Sequence, residues 1–136
     1  MQPTLHPSSR GRVLAVDDSP VMRELVTATL EALGYSVQAV DSGYAALEAV
    51  SVEDFDAVVL DVEMPGIDGM EVARTLRGNP RTSSSMIAMH TGLDEAAVRT
   101  GFDEYDAFLA KPCDARLLGE CVERLIRGHR RSDDAG

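Results

Sequence analysis

Charge-free apolar runs of four residues recur along the chain, at positions 13–16, 57–60, 86–89 and 107–110. Such runs suit strands buried on both faces, as in a parallel sheet. A fifth run, 37–40, is interrupted by Gln38 and reads as an edge strand. Between the runs the apolar period becomes helical. Residues 20–33 place Met22, Leu25, Val26, Leu30 and Leu33 on one face. Ser19 precedes them as N-cap, Pro20 takes the first helical position, and Gly34 follows as a stop. Residues 68–77 open on Asp68 with Glu71 three positions on, like a capping box, and Gly78 ends them. Residues 114–127 carry Leu117, Leu118, Cys121, Val122, Leu125 and Ile126 as a stripe, with Gly128 expected to close the helix. Shorter helices are expected at 43–50 and 94–100. The order is strand then helix, five times. It predicts an α/β fold with a parallel sheet and right-handed crossovers. Residues 1–11 read as a flexible arm, 12–128 as one domain, and 129–136 as a polar tail.

Composition narrows the function classes. A chain of 136 residues makes one domain with a real core, burying roughly two-thirds of its unfolded surface. No apolar run approaches the ~20 residues of a membrane helix. The first twelve residues hold no apolar signal core, so a cytoplasmic protein is expected. The 23 acidic residues outnumber the 13 basic ones, leaving a net charge of -10. Such a body repels phosphate and argues against direct nucleic-acid binding. Twelve of the basic residues are arginine, and the single lysine is Lys111. Cys113 and Cys121 are expected in one helix, eight residues or about 12 Å apart along the axis, too far for a disulfide.

The chemistry gathers where the runs end. The first is followed by Asp17 and Asp18, the run at 57–60 by Asp61, that at 86–89 by His90 and Thr91, and that at 107–110 by Lys111. In open α/β sheets, ligands bind at the carboxyl ends of the strands, where strand order reverses. Neighbouring strands would bring three carboxylates, a hydroxyl and an ammonium to one rim. Two unit charges ~4 Å apart repel by about 4 kcal/mol at an effective dielectric of ~20. One lysine does not offset three carboxylates, so a hard divalent cation with oxygen ligands is expected, Mg²⁺ or Mn²⁺.

The segment from Asp61 to Gly69, with Met64, Pro65 and Asp68 between, resembles the phosphoacceptor loop of response-regulator receiver domains. The other marks of that family fall in order: the acidic pair Asp17 and Asp18, Thr91 followed by the small Gly92, and Lys111 followed by Pro112. The resemblance covers residues 12–127. It implies a flavodoxin-like, doubly wound five-stranded parallel sheet of order 2-1-3-4-5 with five helices. It implies that Asp61 accepts a phosphoryl group from a sensor histidine kinase or a histidine phosphotransfer protein. Asp18, Asp61 and the backbone carbonyl of Glu63 would bind the metal, with Asp17 acting through water. Lys111 and Thr91 would contact phosphoryl oxygens. Thr91 and Phe108 would form the switch, Pro112 would follow a cis peptide bond, and residues 94–127 would present the changing face to a downstream protein.

Some residues depart from the family pattern. Phe108 stands where tyrosine is common, so it can report state only through burial. The bulky Tyr105 lies in a segment where smaller residues are usual. Strand alternation turns His90 away from Thr91 and suggests a neutral structural histidine. Other readings fit less well. An aspartate-nucleophile phosphatase of haloacid-dehalogenase type wants Asp-x-Asp-x-Thr or Val after its first strand. Here the candidate follows a later strand, with Glu63 and Pro65 at the other motif positions. A flavodoxin-like cofactor site needs a hydroxyl- and glycine-rich loop where Asp17 and Asp18 stand. The expected chain is therefore a switch and not a turnover enzyme, either free-standing or a receiver piece of a longer regulator or hybrid kinase.

Overall fold

A computed structural model describes residues 9–135. The elements in order are β1 (Arg12–Val16), α1 (Pro20–Ala32), β2 (Ser36–Val40), α2 (Gly43–Val52), β3 (Ala57–Leu60), α3 (Gly69–Gly78), β4 (Met86–Thr91), α4 (Glu95–Gly101), β5 (Ala107–Ala110) and α5 (Ala115–Ala135). The strands form one parallel sheet in the order β2-β1-β3-β4-β5. Three of the charge-free runs become the inner strands β1, β3 and β4, and the run broken by Gln38 becomes the edge β2. The fourth, 107–110, expected to be buried on both faces, is instead the other edge, β5, and is only partly buried.

Alternation along each strand sorts the core into two layers. Leu14, Val16, Val58, Leu60, Ile87 and Met89 meet Ala46, Val50, Val72, Leu76 and Val98 from α2, α3 and α4. Val13, Ala15, Ala57, Val59 and Ala88 meet Val26, Leu30, Leu118, Val122 and Leu125 from α1 and α5. The caps follow the sequence: Ser19, Ser42 and Asp68 accept backbone N–H groups at the starts of α1, α2 and α3.

Three further expectations need correction. Gly128 does not end α5, which continues unbroken to Ala135. One interior glycine costs a helix only about 1 kcal/mol. His129 is drawn against the base of the sheet, with Nδ1 3.8 Å from Asp56. Residues 129–135 are thus helical, not a tail. Cys113 precedes α5 instead of lying within it, and both cysteines are free. The arm expected at 1–11 is tied down where it is described. Arg10 donates to the Leu33 carbonyl at 3.1 Å, pairs with Glu123 at 2.7 Å and stacks on Tyr35. Residues 1–8 lie outside the described residues.

Arg77 knots three elements together. Its guanidinium donates to the carbonyls of Glu104 (2.9 Å), Ser83 (3.0 Å) and Ser85 (2.7 Å) and to Asp106 (2.7 Å). Asp106 also accepts the Ile87 N–H at 2.7 Å, so one arginine joins α3 to the starts of β4 and β5. Arg77→Ala removes the donors and leaves their acceptors behind. We expect a loss of about 2–4 kcal/mol in urea unfolding. A change within about 0.5 kcal/mol, typical of an unremarkable surface position, would refute the knot.

Candidate functional site

The chain leaves β1 for β2 on one side and returns past β1 to β3 on the other. This reversal opens a crevice at the carboxyl ends of β1 and β3, where a doubly wound sheet holds its ligands. The functional side chains are hung there by the backbone ladder. Asp17 donates its N–H to the Val40 carbonyl at 3.2 Å, Asp61 to Val16 at 2.9 Å, and Lys111 to Thr91 at 2.8 Å. All the strand-end residues expected at one rim are therefore brought together. One detail differs: β4 runs on through His90 to Thr91, so Thr91 is the last residue of the strand. The longer strand gives Lys111 its partner across β4 and β5.

Asp17 and Asp61 are almost wholly buried, at 3% and 4% exposure, whereas Asp18 is exposed. One carboxylate oxygen from each can be chosen so that all three lie within 4.8 Å of one another. The Lys111 ammonium reaches in from β5, 2.8 Å from an Asp17 oxygen and 3.5 Å from an Asp61 oxygen. Burial pushes the Asp61 carboxyl up to about 6, and the Asp17 charge adds to the rise. Lys111 and the Glu63 N–H, which donates to Asp61 at 3.4 Å, pull the other way without prevailing. The pocket thus holds more negative charge than its one ammonium neutralises. Its donors are hard oxygens, one of them open to solvent. That donor set fits a divalent cation of the Mg²⁺ kind, which tolerates few carboxylates and keeps its waters.

The loops are shaped around these groups. Asp17 accepts the Ser19 N–H at 2.9 Å, while Arg23 holds the Asp17 carbonyl at 2.8 Å. Gly69 packs directly on the acceptor loop, for a Cβ there would fall 2.1 Å from the Asp61 carbonyl oxygen and 2.8 Å from Val62. The Lys111–Pro112 bond is cis, as expected. Thr91 is fully buried, and its hydroxyl oxygen accepts the Leu93 N–H at 3.2 Å. At Gly92 a Cβ would meet nothing within 4 Å, so packing does not demand glycine there. Phe108 is half-buried; β-ladder register sets it beside Met89 on the Thr91 face. Glu63 borders a groove of about 480 Å³ with Met64, Pro65, Asp68, Met70 and Leu93.

His90 is buried on the opposite face. Burial lowers its pKa, and the Lys111 charge lowers it further against the pull of Asp17, which keeps the ring neutral. A larger cavity, about 680 Å³, lies at the other end of the sheet among Arg12, Glu53, Asp54, Phe55 and Arg81. It is far from the carboxylate rim, and its guanidinium groups are paired with Glu53 and Asp54. Sequence reasoning missed Arg23, Arg77 and the close packing of Gly69. Only the glycine had a signal, as the residue following Asp68 in the acceptor motif.

Comparison with known proteins agrees with this geometry. The family model described as the response regulator receiver domain matches residues 13–123. A sensor histidine kinase of Pseudomonas protegens is 41% identical over 125 residues, covering 85% of this chain and 13% of that protein. The response regulator MprA of Mycobacterium leprae is 39% identical over 127 residues, covering 91% of this chain and 54% of that protein. This chain therefore spans only part of these relatives. A chemotaxis response regulator of Vibrio cholerae has the same fold at a TM-score of 0.79, with 29% identity over 84% of this chain and 97% of that one. Sheet order, strand-end residues and family match converge, and the chain belongs to the response regulator receiver domain family.

Proposed function

We propose that Asp61 is the phosphoacceptor of this receiver domain and that the 94–127 face carries the resulting change to a protein partner. The observation that carries the assignment is the buried Asp61 carboxylate with Lys111 Nζ 3.5 Å away and Asp18 at its open side. The donor is a phosphohistidine on a sensor histidine kinase or a histidine phosphotransfer protein. An Asp61 oxygen attacks phosphorus, an O–P bond forms, and the N–P bond breaks with its electron pair returning to the histidine ring. The product is an acyl phosphate, an anhydride that stores free energy for the switch.

Phosphoryl transfer places charge on three equatorial oxygens, so catalysis is mostly positioning and neutralisation. Asp18, Asp61 and the Glu63 backbone carbonyl would hold Mg²⁺ or Mn²⁺, with Asp17 acting through water. Bound there, the ion supplies positive charge to the carboxylates and to a phosphoryl oxygen. Lys111 neutralises a second oxygen, and the Thr91 hydroxyl donates to a third. Thr91 must turn from its own loop to do so, and Phe108 follows into the space it leaves. The chain speeds its own phosphorylation and slow dephosphorylation without turning over a substrate, and it acts in the cytoplasm through protein contacts. Among the described residues no helix is long and apolar enough to cross a membrane.

The test is incubation with acetyl phosphate and Mg²⁺, followed by intact-protein mass spectrometry. One phosphoryl group, labile to hydroxylamine and mapped to Asp61, is the expected result. Absence of modification, or steady turnover of a small phosphate ester, would overturn the reading.

A further inference from the structure

The helix α4 is the most weakly held of the five. It has seven residues, buries only Val98, and its N-cap Asp94 makes no side-chain cap. What ties its first turn to the rest of the fold is polar. The Tyr105 hydroxyl, in the segment before β5, donates to Glu95 at 2.8 Å. Arg99 closes the cluster, pairing with the same Glu95 oxygen at 2.6 Å and lying over the Tyr105 ring, 5.4 Å from its centroid. The Tyr105 ring sits 6.0 Å from the Phe108 ring, tilted by 51°.

These contacts form a line from the phosphorylation rim to the outer face. Phe108 pairs in register with Met89, two residues before Thr91 on the same face of β4. Phe108 touches Tyr105, and Tyr105 holds Glu95 on α4. Phe108 has no hydroxyl, so β5 cannot bond to α4 from that position. The bond is made instead from Tyr105. Burial and the Glu95 carboxylate raise the Tyr105 phenol above its ordinary value, so it stays protonated and remains a donor at neutral pH.

We infer that the Tyr105–Glu95 hydrogen bond is a latch that holds α4 in the arrangement seen here and opposes the phosphorylation-driven change. Tyr105 and Glu95 are positioning residues and touch no phosphoryl oxygen. When Phe108 turns inward, the ring beside Tyr105 is withdrawn and the latch loses its support. A bond present in one state only biases the equilibrium towards that state. Its removal should therefore favour the rearranged form and tighten binding of a phosphoryl mimic. The inference rests on the phosphoacceptor reading above.

The experiment is a beryllofluoride titration in Mg²⁺ with wild type, Tyr105→Phe, Glu95→Gln and the double variant. Tyr105→Phe keeps the ring and its packing and loses only the hydroxyl. Each single variant should bind beryllofluoride about three- to ten-fold more tightly, the scale of one partly exposed charge-assisted bond. The double variant should match the singles, because both remove the same bond. Tyrosine-ring NMR of the wild type should show Tyr105 shifting on saturation while Tyr44 stays fixed. Unfolding curves of the four proteins separate this from a merely structural role, which would weaken folding without tightening the mimic. Wild-type affinity in both singles, additive effects in the double, or an unmoved Tyr105 would overturn the latch alone. A wild type that binds no beryllofluoride would overturn the phosphoacceptor reading and the latch with it.

Discussion

Asp61→Asn is expected to abolish acyl-phosphate formation and, in Mg²⁺-free buffer at pH 7.5, to make the folded protein more stable. The first effect is the loss of the nucleophile, since an amide oxygen cannot form the anhydride. The second follows from linkage. The folded Asp61 carboxyl titrates at about 6 because burial and the Asp17 charge outweigh Lys111. In the unfolded chain it titrates near ~3.9. Between those values the folded state binds the proton more readily. Stability is therefore highest below the unfolded value and is lost as pH rises through the folded one. The penalty is complete above pH ~7 and, for a shift of roughly two units, amounts to about 2–3 kcal/mol at most. Asp61→Asn removes it. Chemical unfolding with chelator present should show the variant more stable by about 1–3 kcal/mol at pH 7.5, with the difference falling to about a third of that at pH ~4.5. Mg²⁺ should then raise wild-type stability more than that of the variant, because the charge it neutralises is gone. Equal stabilities at pH 7.5, or any hydroxylamine-labile phosphate on the variant, would contradict the account.

Lys111→Arg keeps the positive charge, and it is expected to separate phosphorylation from its consequences. The ammonium stands between two carboxylates, nearer to Asp17 than to Asp61, and is less than a quarter exposed. It is a compact charge on a flexible stem and can shift towards a single phosphoryl oxygen. A guanidinium is a planar fork that favours two oxygens at once and would settle on the Asp17 carboxylate. Acetyl phosphate should still modify the variant. The shift of the Phe108 and Tyr105 rings on phosphorylation should shrink, with the rearranged population down about ten-fold, which is about 1.4 kcal/mol of lost bias. Equal shifts at equal phosphorylation would show that position 111 needs only a charge.

Much of this was legible before any coordinates. The run broken by Gln38 marked an edge strand, and the charge-free runs at 13–16, 57–60 and 86–89 marked inner ones, whereas the run at 107–110 forms the other edge. Both follow from burial on one face or two. Ser19, Pro20 and Asp68 announced helix starts because caps are local. The rim was legible because a parallel sheet brings the residues after each strand to one end. What failed was decided by contacts distant in sequence. Gly128 looks like a stop, yet a helix continues when its next turn finds a surface, here the base of the sheet beside Asp56. Thr91 joins β4 because β5 pairs with it. Arg77 and Asp106 are ordinary charged residues in sequence, 29 positions apart, and only the fold makes them a knot.

The sequence by itself determined the alternation of elements, the two-layered core and the identity of the four strand-end groups. These depend on period, capping and charge, which are properties of neighbours along the chain. The tertiary structure decided how those groups act on one another. It set Lys111 closer to Asp17 than to Asp61, buried Asp61 enough to raise its carboxyl to about 6, and leaned Tyr105 on Glu95 beside Phe108. Such values depend on distance and desolvation across elements, and no pattern along the chain encodes them.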